Sequence, residues 1–134
     1  IAHHEATLAL ITAATRAKAR LHVGLTATAA GFYGWQAREV AGLPTRFPGL
    51  ADRLGVLGIK NLEMEASALF TLASLRGFRS GAVCAAYANR RKNVFLDARG
   101  RAAADERSID AALGAILVLR EMDEARGRRP HFSI

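Results

Sequence analysis

Three short stretches carry residues whose types and spacing can do chemistry. The first is Asn61-Leu62-Glu63-Met64-Glu65, where two carboxylates stand two residues apart at a predicted strand-to-helix junction. In open α/β sheets, ligands gather outside the carboxyl ends of strands. A carboxylate fixed there accepts hydrogen bonds from two vicinal hydroxyls at once, which suits a ribose 2′,3′-diol. Glutamate in a first helical turn also complements the macrodipole, and spacing alone does not separate the two roles. The second stretch holds Phe32, Gln36 and Arg38. Glutamine offers an acceptor and donors, and arginine offers donors only, so together they can read a planar imide edge while Phe32 stacks on the ring. A solvated polar loop has the same composition. The third is Tyr87-Ala88-Asn89-Arg90, where Arg90 either joins Arg38 in balancing negative charge on a planar anion or is a solvated strand-end arginine.

Elements that can position these groups are legible around them. Ala6, Leu8, Leu10, Ile11, Ala14 and Ala17 predict a helix over residues 4–18. Alternation of Leu21, Val23, Leu25 and Ala27 predicts a strand within 20–30. The following segment, 31–48, mixes Gly31, Gly34, Gly42, Pro44 and Pro48 with Phe32, Tyr33 and Trp35, and is a loop long enough to carry function. A short helix over 50–56, a strand near 59–62 and a helix over 63–76 follow, with Ala68, Leu69, Leu72 and Leu75 as its apolar face and Gly77 as its stop. Segment 80–89, SGAVCAAYAN, reads as a strand covered on both faces, which buries Cys84. The last helix spans 104–126, with Asp105, Glu106 and Arg107 in its first turn and Ile109, Leu113, Ile116, Leu117 and Leu119 on its apolar face. Residues 127–134 form a loose basic tail. This order of elements predicts an α/β layer architecture.

Composition sets outer bounds. The chain has 134 residues, 51% hydrophobic and 23% charged, which suits one packed domain and not a disordered chain. The single cysteine excludes an internal disulfide and fits a reducing, cytoplasmic compartment. Apolar stretches are interrupted by Thr, Arg or Gly and fall short of the ~20 residues of a membrane span. The start, Ile1-Ala2-His3-His4-Glu5, has neither an initiating Met nor a basic segment before an apolar one, and reads as a cut within a longer chain rather than a signal peptide. The net charge of +7 raises nucleic acid as a partner. Its basic residues are dispersed, however, and the runs at 90–92 and 126–129 lack interleaved aromatics, so no nucleic-acid partner is expected. No Cys/His cluster has zinc spacing.

Taken together, GLTATAAGFYGWQAR and NLEMEASALFTLASLRGFRSGAVCAAYANR resemble the C-terminal half of bacterial uridine phosphorylases of the nucleoside phosphorylase family. The resemblance runs from about residue 6 to residue 119. NLEMEA is specific to the wider family, and the Gln-x-Arg pair to its uridine branch. The resemblance implies the C-terminal part of a three-layer fold with a central twisted mixed sheet, formed by residues 1–126. It implies that Gln36 and Arg38 bind the uracil edge, Phe32 packs on the base or sugar, and Met64 and Glu65 hold the ribose, with Glu63 lining the same pocket. Arg90 would reach the uracil carbonyl side through water, and Tyr87 and Ala88 would close over the base. Asn89 stands where purine-specific relatives have an aspartate that protonates the purine, which favours pyrimidines. The implied activity is that of a pentosyltransferase cleaving uridine with inorganic phosphate as co-substrate, in a homo-oligomer and without metal or organic cofactor.

The sequence departs from the family pattern in three respects. Gly34-Trp35 replaces a Pro-Gly pair, the loop after Arg38 is short, and Tyr87 is bulkier than the usual aliphatic residue. Family phosphate ligands, a glycine-rich turn with arginines and a threonine, belong to an N-terminal half with no counterpart here. His3, His4, His22 and His131 match no catalytic position. Open alternatives are a catalytically silent nucleoside-binding remnant, a partner-dependent subunit, and a purine nucleoside phosphorylase or nucleosidase of the same fold. Without the N-terminal strands, apolar faces and strand edges are expected to be uncovered, which favours self-association.

Overall fold

A computed structural model of the chain describes residues 1–34, 36, 40–45 and 47–127. Helix α1 spans His4–Arg16. It starts where the His3 ring nitrogen Nδ1 accepts the Glu5 amide proton at 3.2 Å, satisfying one of the orphan donors of a helix N-terminus. It stops two residues before its predicted end. Lys18 turns left-handed at φ 53°, and the amides of Lys18 and Ala19 fold back onto the carbonyls of Thr15 and Ala14, each at 2.9 Å. Strand β1 is Leu25–Thr28, helix α2 Leu50–Val56 and strand β2 Ile59–Glu63. Gly58, at φ 81°, makes the turn from α2 into β2. The two strands pair in parallel, with Thr26 opposite Asn61, Ala27 opposite Leu62 and Thr28 opposite Glu63. Parallel pairing has a direct consequence: both carboxyl ends finish side by side, and the loop after Thr28 leaves the same edge as the helix after Glu63.

Helix α3, Ala66–Leu75, follows β2 almost at once. Its predicted stop is correct: Gly77 takes φ 68°, its amide bonds the Ser74 carbonyl at 3.2 Å, and the Phe78 amide bonds that of Ala73 at 2.9 Å. The predicted doubly covered strand over 80–89 needs correction. Only Ala88–Asn89 is strand, β3, paired antiparallel with Val94–Phe95, β4. Residues 80–87 have no ladder partner among the described residues, so one side lies open: Val83 and Ala85 are half-buried, while Ala82, Cys84 and Ala86 are exposed. The small apolar composition was right for a covered strand, but cover requires neighbours on both sides. Strand pairing among the described residues consists of the parallel pair, the β3–β4 pair and an isolated antiparallel bridge between Val40 and Leu43, and the order of helices and strands is that of an α/β protein.

Helix α4 spans Ala98–Arg126 and begins six residues before its predicted start. The signal was Asp97, whose carboxylate accepts the Gly100 amide at 2.7 Å as an N-cap. Replacing Asp97 with alanine is expected to destabilise the chain by about 1 kcal/mol, measured by urea unfolding followed by far-UV circular dichroism. An unchanged midpoint would show that the helix starts without this cap.

The core lies between α1 and α4 and is built of small residues, Ala9, Ala13, Ala115, Val118 and Met122, with Leu10 and Leu119 against it. A Cβ placed on Gly114 would lie 3.2 Å from the Ala13 methyl, so the helices approach at close to backbone contact there. Arg16 and Glu121 cross the seam as a bidentate pair at 2.8 and 2.9 Å. Deeper in, Glu5, only 8% exposed, accepts from Arg79 at 3.0 Å and from Arg126, while Arg79 also grips Asp123 at 2.6 and 2.8 Å. The apolar faces predicted to be core-facing are corrected here. Leu69, Leu72 and Leu75 on α3, and Ile109, Leu113, Ile116 and Leu117 on α4, are exposed. Helix α4 buries the stripe of Ala111, Ala115, Val118 and Met122 instead. That stripe is less apolar than its neighbour, but it fits the alanine surface of α1. Apolar side chains are thus uncovered on these two helices, and also along Leu21, Val23 and Leu25, at Val56 and Leu57, and at Val94 and Phe95.

Candidate functional site

At the shared carboxyl edge of β1 and β2, the two glutamates of the Glu-Met-Glu segment have separate tasks. Glu63, half-buried, accepts the Thr28 hydroxyl proton on Oε1 and the amide protons of Glu65 and Ala66 on Oε2, at 2.8 and 2.6 Å. Burial opposes its charged form, but the Thr28 hydroxyl and then the two amides outweigh it and hold the carboxyl below the usual range. Thr28 in turn accepts the Ser67 amide at 3.0 Å. Glu63 thus satisfies the start of α3 rather than standing free. Glu65 is exposed, its only described side-chain bond being a 3.3 Å contact with the amide of half-buried Met64. An exposed carboxylate at a helix N-terminus, with its backbone pinned by a neighbour, can accept a pair of hydroxyls.

Beside this carboxylate pair lies Cys84. Crowding around its sulfur raises the thiol pKa, opposed by a hydrogen bond with Asn61 and reinforced by the charges of Glu63 and Glu65. The sequence-based expectation of a buried cysteine is corrected, since its surface is exposed.

The second group forms around Gln36, 5% exposed within the long loop. Arg90 donates to its backbone carbonyl and to its side-chain oxygen, each at 2.6 Å. Guanidinium has no acceptor, so the atom facing it must be the amide oxygen. The Gln36 amino group is then directed elsewhere. Arg38, the companion of Gln36, lies outside the described residues. Phe32 is exposed and meets Tyr33 edge to face, with centroids 5.1 Å apart. Tyr87 donates its hydroxyl to Asp105 on α4, which pushes its pKa up. Asn89 is engaged locally, accepting the Lys92 amide at 3.1 Å.

Gln36 and Arg90, separated by 54 positions, are thus joined directly. Glu63, Met64 and Glu65 gather at the start of α3. Thr28 escaped the sequence reading, although its position opposite Glu63 follows from the strand register. A hollow of about 540 Å³ between Arg79 and the α4 residues Ile116, Leu119 and Asp123 shares none of the candidate residues.

A parallel strand pair delivering a carboxylate-bearing helix start and a polar loop to one edge is an α/β arrangement. Comparison places it more narrowly: the chain belongs to the phosphorylase superfamily, whose family model matches residues 1–117. It is 42% identical to a uridine phosphorylase of Thermococcus kodakarensis over 96% of this chain and 45% of that protein. It is 37% identical to a uridine phosphorylase of Escherichia coli over 67% of this chain and 37% of the relative. A DeoD-type purine nucleoside phosphorylase of Hahella chejuensis is 34% identical over 63% of the chain and 31% of its own length. The chain thus spans less than half the length of these curated relatives, and the family resemblance read from its motifs holds. Among the described residues, no helix is long and apolar enough to cross a membrane.

Proposed function

We propose that this chain carries the base and ribose sites of a uridine phosphorylase, as the C-terminal part of its three-layer domain with a central mixed sheet. In that reading, phosphate attacks the ribose C1′ of uridine as uracil departs, giving uracil and ribose 1-phosphate. The main electrostatic task is to stabilise the negative charge that grows on the base. Gln36 and Arg38 donate to the uracil edge, with bonds that strengthen as charge develops. Arg90 holds Gln36 in place and adds its positive charge behind it. Phe32 packs on the base or sugar, Tyr87 lies at the rim, and Met64 and Glu65 seat the ribose. The reading requires neither metal nor organic cofactor, with inorganic phosphate as co-substrate and the phosphate ligands supplied outside this chain. A homo-oligomer and a cytoplasmic setting are part of the same proposal.

The observation that supports it best is the direct bond between Gln36 and Arg90, which draws two family motifs distant in sequence into one polar group. The likeness in name and identity to uridine phosphorylases over nearly the whole chain supports it further. Asn89 supports pyrimidine over purine, because an amide is far too weak an acid to transfer a proton to a purine ring nitrogen. Calorimetric titration of the chain with uridine and with inosine tests the choice. Uridine is expected to bind the more tightly by about tenfold or more, and preference for inosine would favour the purine reading.

A further inference from the structure

We propose that Thr28 is a positioning residue for Glu65, acting through Glu63, and that Glu63 is a clasp rather than a ribose ligand. The inference rests on the reading above, in which Glu65 receives the ribose hydroxyls, and it separates two carboxylates that sequence spacing treats alike.

A carboxylate has roughly four acceptor positions. Three on Glu63 are filled by donors fixed in the fold: the Thr28 hydroxyl, the Glu65 amide at 2.8 Å and the Ala66 amide at 2.6 Å. Glu63 therefore pins the backbone of Glu65 while its own oxygens are occupied. Thr28 completes the clasp from the neighbouring strand. Its hydroxyl donates to Glu63 and accepts the Ser67 amide at 3.0 Å, tying β1 to the first turn of α3. The strand register makes this possible, because Thr28 and Glu63 are direct partners in the last row of the parallel pair. The tie continues one residue on, where the Ala29 amide bonds the Glu63 carbonyl at 2.8 Å. Loss of the hydroxyl removes the partner of the Ser67 amide and leaves Glu63 held through Oε2 alone. The Glu65 backbone is then fixed less firmly, because the carboxylate that pins it has lost its tie to β1. Valine keeps the shape of threonine without the hydroxyl, and serine keeps the hydroxyl.

The test is calorimetric binding of uridine and of free uracil to the 134-residue chain, with T28V and T28S beside the wild type. Uracil lacks the sugar and reports only the base site. For T28V, uridine affinity is expected to fall about tenfold while uracil affinity stays within about twofold. T28S is expected to bind both as the wild type does. An equal fall for uridine and uracil in T28V, no fall for either, or failure of T28S to restore uridine affinity would overturn the inference while leaving the proposed function intact. A wild-type chain that binds uracil but gains nothing from the sugar overturns the ribose site and the clasp together. One that binds neither overturns the proposed function itself.

A second measurement, independent of the folding of T28V, uses the unaltered chain. Carbon-detected NMR of the side-chain carboxyls is expected to show the Glu65 signal moving on saturation with uridine and that of Glu63 staying in place. Movement of Glu63 alone would overturn the assignment.

Discussion

Replacing Arg38 with alanine, in a polypeptide of full family length that carries this chain, is expected to lower kcat/KM for uridine cleavage by about 10²–10³-fold. The expected loss is electrostatic. In the proposed reaction, uracil leaves with growing negative charge, and a donor-only guanidinium at its edge gains strength between ground and transition state. Gln36 cannot substitute, because a neutral amide answers charge less strongly than a cation. Arg90 cannot substitute either, because its guanidinium is committed to the carbonyl and side-chain oxygen of Gln36. Steady-state kinetics with uridine decide the matter. A fall carried mainly by kcat places Arg38 at the departing base, and turnover close to that of the wild type would remove it from the site.

The largest expected effect on stability lies elsewhere, at Glu5. Its side chain is 8% exposed and is held by Arg79 and Arg126, which are themselves 28% and 21% exposed. These bonds join the start of α1, the segment after α3 and the end of α4. Glu5→Ala is expected to cost about 2–3 kcal/mol, below the full cost of breaking a wholly buried pair because both arginines keep some water and can turn to Asp123. Urea unfolding measures it, and a change within about 0.5 kcal/mol would show that Asp123 alone suffices.

The same group sets an acid limit. The Arg126 hydrogen bond, outweighing burial and aided by Arg79, holds the Glu5 carboxyl below its ordinary range. A lowered folded-state pKa means that the unfolded chain takes up the proton first as pH falls. The stabilisation is therefore complete above the unfolded value of about 4.3 and drains away as pH falls through the lower folded value. In Glu5→Gln the chain is expected to lose part of this acid sensitivity, read as a flatter dependence of unfolding free energy on pH below about 5.

Periodicity and capping made the elements legible in the sequence. Helix α2 falls where its apolar pattern put it, and Gly77 ends α3 because only a residue tolerant of positive φ closes that turn. What periodicity could not convey was partnership. Helix α4 is apolar on two sides, and periodicity favours the bulkier stripe of Ile109, Leu113 and Ile116 as the core, while the alanine-rich stripe meets α1. Segment 80–87 has the composition of a covered strand, but ladder partners are a property of neighbours and not of the segment.

The candidate site divides in the same way. Residue types pointed to Gln36, Arg90 and the two glutamates, and motif resemblance pointed to their roles. The division of labour between Glu63 and Glu65 was hidden, since it depends on Thr28 arriving from another strand in a particular register. For Tyr87, which the resemblance places over the base, the hydroxyl bond to Asp105 was equally hidden, since no local pattern announces that partner on α4.

The central claim is most directly tested by following uracil release from uridine, with and without inorganic phosphate, in a polypeptide of full family length carrying this chain. The account predicts uracil and ribose 1-phosphate in equal amounts, and only when phosphate is present. Uracil released equally well without phosphate would make the reaction a hydrolysis, and no release from uridine alongside cleavage of purine nucleosides would contradict the account of the base site.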